Sequence, residues 1–101
     1  MVEVRQTKTF LSWLQNLSDR EASKLIADRI LRLHGGLFGD AAPVGGGVSE
    51  LRVHFGPGYR VYFVQRGNVL IILLCGGNKK TQPKDIETAK AMARELKEQE
   101  Q

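Results

Sequence analysis

Apolar and polar residues alternate along 51–65 with one interruption, and the interruption divides the run into two strands. Successive side chains of a strand point to opposite faces of its sheet, so Leu51, Val53 and Phe55 share one face and Arg52 and His54 the other. Past Gly56-Pro57-Gly58, the residues Tyr59, Val61 and Phe63 face away from Arg60, Tyr62 and Val64. With Gly56-Pro57-Gly58 as a hairpin loop, Phe55 faces Tyr59, His54 faces Arg60, Val53 faces Val61, Arg52 faces Tyr62 and Leu51 faces Phe63. One face is then apolar, and the other gathers two guanidiniums, an imidazole and a phenol. A third run, Val69 to Cys75, is apolar throughout, as a central strand covered on both sides must be. Gly76-Gly77-Asn78 after it predicts a sharp turn that carries Lys79 and Lys80 to the same end of the sheet.

Upstream the period changes. Val2 and Val4 alternate with Glu3 and Arg5, predicting a short strand at a sheet edge. Phe10, Trp13, Leu14 and Leu17 recur at helical spacing, and Trp13 belongs to that buried stripe rather than to a base-stacking platform. Ser18 to Glu21 reads as a capping box that opens a second helix, with a buried stripe of Ala22, Leu25, Ile26, Ile30 and Leu33 ended by Gly35-Gly36. The segment 37–47, rich in glycine and poor in apolar residues, reads as a connecting loop. Pro83 and Asp85 open a last helix with a stripe of Ile86, Ala89, Met92, Ala93 and Leu96, frayed from Lys97 to Gln101. The pattern predicts an α+β fold, a two-helix hairpin packed on a small antiparallel-dominated sheet, in the order β-α-α-β-β-β-α. One domain spans 1–101, with the edge strand in 1–8, the helical hairpin in 9–36, the three-strand sheet in 48–76 and the C-terminal helix in 82–98.

A chain of 101 residues, 42% hydrophobic, supports one modest core. Fifteen Lys and Arg against eleven Asp and Glu give a net charge of +4, which favours an anionic partner. The lone Cys75, inside the apolar strand, reads as a structural thiol and fits a reducing compartment. The first residues lack an apolar signal core and no apolar run approaches the roughly 20 residues of a membrane helix, so the expected location is cytoplasmic, with no membrane partner. Clustered metal ligands and a phosphate-binding glycine loop are both missing from the sequence, so neither a metal nor a cofactor is expected.

What remains is the cationic patch. Cleavage of RNA by its own 2′-hydroxyl needs a base, cations for the charge on phosphorus and an acid for the leaving oxygen, and no metal. Arg52, Arg60 and Lys79 or Lys80 are the candidates to hold the phosphate. His54, kept neutral by its cationic neighbours, is the candidate proton acceptor, with Tyr62 or Tyr59 to orient a base or donate a proton. A plain binding surface for nucleic acid or a protein partner needs the same charge with no tuned group, and fits the residues equally well.

ELRVHFGPGYRVYF, followed by LLCGGNKKTQPKDIETA and preceded by FLSWLQNLSDREASKLIADRILRLHGGLFGD, resembles the RelE/ParE superfamily of bacterial toxins, in particular the HigB-like addiction-module killer proteins. The resemblance covers nearly the whole chain and rests on the ELR, GPGYR and GG-x-K-x-x-Q elements in this order and spacing. It implies a RelE-like fold and the toxin of a type II toxin-antitoxin system, a metal-independent endoribonuclease that cuts messenger RNA on the ribosome. By position, Arg60 matches the arginine of the family's GYR element, and Arg52 and His54 fall where such toxins carry basic residues on the preceding strand. Lys79 and Lys80 match the basic position after the last long strand. The candidate catalytic set is thus Arg60, His54, Arg52, Lys79 and Tyr62, and the candidate RNA-binding set is Arg52, Arg60, Lys79, Lys80 and Gln82. Two departures stand out: Gln82-Pro83-Lys84-Asp85 opens without the tyrosine that RelE-like enzymes carry there, and Asn78 stands where killer proteins often have aspartate. The resemblance also implies a cognate helix-turn-helix antitoxin. The ParE branch shares the fold but poisons DNA gyrase without the nuclease residues, so the retained cations and imidazole favour the nuclease.

Overall fold

In the computed structural model, which describes residues 2–100, five strands form one mixed sheet. They are β1 (Glu3–Gln6), β2 (Ala41–Gly45), β3 (Val48–Val53), β4 (Tyr59–Arg66) and β5 (Leu70–Asn78), in the spatial order β1-β5-β4-β3-β2. β1 lies at the edge and runs parallel to β5, while the other neighbours are antiparallel. Helices α1 (Lys8–Gln15) and α2 (Arg20–Leu33) lead from β1 to β2 and cover one face; α3 (Gln82–Gln99) covers the other.

Each face has its own core. Phe10, Ile26 and Leu33 pack on Leu51, Val61, Phe63, Ile71 and Leu73, and Trp13 packs over Tyr59 with ring centroids 6.3 Å apart. On the other face Tyr62, Val64, Ile72 and Leu74 meet Ala89 and Ala93, whose small side chains let α3 lie close to the sheet. β5 is therefore covered twice, which is why its run is apolar without alternation. Cys75 is buried in the second core, its Sγ 3.7 Å from the Asp85 carbonyl, and burial pushes the thiol up to about 12.

Local chemistry sets the helix starts. The Thr7 hydroxyl accepts from the Phe10 amide and donates to the Leu74 carbonyl at 2.7 Å, capping α1 and fastening it to the sheet. α2 is capped by Asp19 rather than by the expected Ser18: its carboxylate accepts from the amides of Glu21 and Ala22. A charged acceptor at the positive end of the helix takes the cap over a neighbouring hydroxyl. Leu25, expected in the buried stripe, sits at its margin and is 37% exposed.

Three further expectations are corrected. The segment 37–47 is not only a loop, since it contains β2 and makes the order β-α-α-β-β-β-β-α. β2 carries little apolar signal, and Pro43 fits there because an edge strand tolerates a missing donor. Gly76-Gly77-Asn78 do not turn but continue β5. These glycines serve close approach, because a Cβ on Gly76 would run into the Trp13 ring and one on Gly77 into the Asp85 carboxylate. The turn follows at Lys79–Thr81, a single 3₁₀ turn capped by the Asn78 side chain. The β3–β4 register is displaced by two residues, pairing Val53 with Tyr59, Arg52 with Arg60 and Leu51 with Val61. The connecting loop becomes His54–Gly58, stabilised by its own Gly58 to Phe55 hydrogen bond and by a positive φ of 81° at Gly58. An even displacement keeps every side chain on its expected face but lifts His54 out of the ladder.

α3 continues to Gln99, and Arg66 forms an ion pair with Glu100 at 3.3 Å, so the expected fraying from Lys97 does not occur through Glu100. Met1 and Gln101, assigned above to the edge strand and the frayed end, lie outside the described residues. No helix among the described residues is long and apolar enough to cross a membrane.

Candidate functional site

The polar residues of β3 and β4 converge where α3 begins, and they form a chain of hydrogen bonds that leads from the interior to the surface. At its inner end Glu50 is 3% exposed. One carboxylate oxygen accepts from Gln82 Nε2 of α3 at 2.8 Å, and the other accepts from Arg52 Nε at 2.9 Å. Arg60, beside it on β4, is 7% exposed; its Nη1 donates to the Tyr59 carbonyl, and its Nε lies 4.0 Å from Glu50 without a hydrogen-bond partner. Arg52 passes the chain outward, its Nη1 donating to Asp40 at 3.1 Å. The other oxygen of Asp40 meets His54 Nε2 at 2.5 Å, and there the chain reaches solvent, with the His54 side chain 68% exposed.

Alternation on β3 places Glu50 and Arg52 on one face, and pairing of β2 with β3 brings the preceding loop and its Asp40 alongside. Arg29 of α2 locks this edge: its guanidinium donates to the carbonyls of Arg52 at 2.6 Å and Phe38 at 3.0 Å. The hydrogen bond from His54 holds the Asp40 carboxyl below the usual carboxylate range, with Arg52 adding to the effect. The Arg52 guanidinium is raised, first by its hydrogen bond to Glu50. Beside His54 an open groove of about 340 Å³ is floored by the Gly56-Pro57-Gly58 loop and edged by Arg60 and Lys79.

The fold thus brings His54, Arg60 and Lys79 to one groove, with Arg52 tied to His54 through Asp40. Six expectations change. Tyr62 is fully buried under α3, opposite Glu50 rather than Arg52, so it meets no substrate; burial pushes its phenol well up, and its hydroxyl has no partner. Arg60 does not face solvent, because α3 and the 3₁₀ turn close over that part of the sheet. Arg52 is not a free phosphate ligand, since two of its nitrogens are taken by carboxylates. Gln82 is spent on Glu50, and Lys80 stands exposed on the 3₁₀ turn without lining the groove. Finally, the charge nearest His54 is the carboxylate of Asp40 and not a cation.

Glu50 and Asp40 were both missed. Glu50 was legible, since a residue two before Arg52 on a strand shares its face. Asp40 was not, because nothing in the sequence places the end of a glycine-rich segment against β3. Among the described residues no group of three or more His, Cys, Asp or Glu could hold a metal ion.

A mixed sheet between a helical hairpin and a closing helix, carrying an acid-imidazole pair beside a groove edged by two cations, defines a small α+β domain. The chain belongs to the family described as Phage derived protein Gp49-like (DUF891), whose profile matches residues 12–98, a toxin-like family related to addiction modules. A Haemophilus influenzae protein bearing the name "Uncharacterized protein" is 50% identical over 95 residues, which cover 94% of this chain and 96% of that relative.

Proposed function

We propose that this protein is the toxin of a type II toxin-antitoxin system, a HigB-like member of the RelE/ParE superfamily that cuts messenger RNA on the ribosome without a metal. It acts in the cytoplasm and is held in check by a helix-turn-helix antitoxin. Family membership supports the toxin class. The observation that carries the nuclease reading is the His54–Asp40 pair on the rim of the groove that Arg60 and Lys79 edge.

With Asp40 accepting from Nε2–H, the imidazole turns Nδ1 toward substrate as the nitrogen that carries a lone pair. Nδ1 takes the proton of a 2′-hydroxyl, the 2′-oxygen bonds to phosphorus and the bond from phosphorus to the 5′-oxygen breaks. The leaving oxygen takes a proton from water, which reaches this exposed rim, and the hydroxide left behind takes the proton from Nδ1, restoring neutral His54. The products are a 2′,3′-cyclic phosphate and a 5′-hydroxyl. Arg60 and Lys79 offset the charge that builds on the phosphoryl oxygens. Arg60 is suited to this because burial and the Tyr59 carbonyl fix its guanidinium before substrate arrives.

The test is primer extension on messenger RNA from cells briefly expressing the protein, beside a His54→Gln control, with gyrase-linked DNA damage scored in the same samples. Cuts within translated frames that disappear in the control are expected. Intact messages with damaged DNA would move the protein to gyrase inhibition, and neither effect would leave a binding module.

A further inference from the structure

A second cleft, of about 310 Å³, adjoins the groove of Arg60 and Lys79, and the two share His54 and Phe55 and no other residue. It opens between α2 and the end of β3. Leu25, Val53 and Phe55 give it apolar walls, and Asp28 and Arg32 give it polar edges. Asp28 and Arg32 stand one helical turn apart on α2, so both reach the same opening, and no ion pair joins them among the described residues. Arg29, the remaining cation there, is committed to the carbonyls of Arg52 and Phe38 and serves as fixed wall.

Resting on the RNA-cleaving reading, we infer that this second cleft seats the unpaired base of the nucleotide whose 2′-hydroxyl attacks, and that Asp28 and Arg32 select guanine. The order of the two clefts along the surface matches the order of groups in a nucleotide. A base between α2 and Phe55 puts its ribose at His54, on the shared boundary, and its 3′-phosphate in the groove of Arg60 and Lys79. The flat faces of a base suit apolar walls with an aromatic among them. The two polar edges then discriminate. Guanine alone offers adjacent N1 and N2 donors to one carboxylate while presenting O6 and N7 acceptors to a guanidinium. Uracil opposes Asp28 with carbonyl oxygens on either side of its single N–H, and the pairing is lost.

Fluorescence anisotropy on the purified full chain tests this, with five-nucleotide uridine strands that carry guanine, adenine, cytosine or uracil at the central position. A 2′-deoxy sugar at that position prevents cutting, so binding is read apart from chemistry. The guanine strand is expected to bind about tenfold tighter than the uracil strand, within the discrimination that paired edge contacts supply. Asp28→Asn, on an exposed helix position, is expected to remove that preference. Equal affinity for all four strands, no binding of any strand, or a preference that survives Asp28→Asn overturns the base site. An all-ribose guanine strand separates the two readings. Preferential binding, with neither this strand nor translated messages in cells cut, removes the nuclease and keeps the base site, and cutting without preference removes the base site and keeps the nuclease.

Discussion

The inner and outer halves of the polar chain use the same chemistry for opposite ends. Glu50 and Arg60 are a buried carboxylate and guanidinium, accompanied by the half-buried amide of Gln82, and Asp40, His54 and Lys79 are carboxylate, imidazole and ammonium largely in water. In the interior a charge is tolerated only when it is paired and hydrogen-bonded, so each inner group has one place to be. Glu50 consequently fixes three elements at once: β3 through its own backbone, β4 through Arg60 and the first turn of α3 through Gln82. The outer groups are held more loosely, Asp40 by Arg52 and His54, His54 by Asp40 alone and Lys79 by no ion pair among the described residues, and they keep an edge free for a substrate. Position relative to water, rather than residue type, separates framework from reagent, and Arg60, buried yet edging the groove, serves as both.

Removing the inner carboxylate is the largest way to break this division. Glu50→Ala leaves the buried Arg60 guanidinium without its counter-charge, and is expected to cost about 3–5 kcal/mol, the penalty for stripping one partner from a buried pair. Urea unfolding followed by circular dichroism measures it, and a variant as stable as the parent would show that the inner half is not framework. The outer half should behave in the opposite way. His54→Gln is expected to lower the cleavage rate about 10²-fold, the low end for loss of a general base, because the phosphate-holding cations remain. Its stability should stay within about 0.5 kcal/mol of the parent, as for an exposed position. A His54→Gln chain that unfolds early, or cleaves at the parental rate, would return His54 to the framework.

Lys79 sharpens the contrast with less effect. Exposed and without an ion pair among the described residues, it gives one phosphate contact. Lys79→Ala should weaken single-stranded RNA binding for all sequences alike, and flatten the slope of log affinity against log salt by about 0.7, the share of one phosphate on a single strand. Filter binding over a salt series reads that slope, and an unchanged slope would take Lys79 out of the groove.

Much of this arrangement was legible in the sequence, and its gaps have physical causes. Alternation along 51–65 located β3, β4 and the polar face, since a period of two survives any even error in register. It could not locate the loop ends, because the choice between a loop of Gly56-Pro57-Gly58 and one of His54–Gly58 is made by hydrogen bonds inside the loop. Arg60 and Tyr62 were placed on the right face and given the wrong exposure. That face is half covered by α3, and nothing in a strand's own pattern says where a later helix will lie. Gly76 and Gly77 were read as freedom to turn when they serve the approach of Trp13 and Asp85, an ambiguity built into a residue valued both for its backbone and for its missing side chain. β2 went unread because an edge strand with proline and glycine looks like a loop until its partner is known.

The finest test of the division concerns Asp40, the hinge between the halves. Its carboxyl is held below the ordinary carboxylate range, first by the hydrogen bond from His54 and then by Arg52, so the folded chain favours the ionised form more than the unfolded chain does. A carboxyl depressed on folding contributes stability that is fully present above its unfolded value, about pH 3.9, and is lost as pH falls through the lower folded value. The exposed setting of Asp40 keeps that contribution small. Melting temperatures taken from about pH 5 downward should therefore fall slightly more steeply for the parent than for Asp40→Asn, which has no proton to gain. Added salt should narrow the gap, because exposed charges are screened where the Glu50 cluster is not. If the two acid limbs superimpose, Asp40 is not coupled to His54 in the folded chain, and the imidazole is left without the group that orients it for the proton transfer.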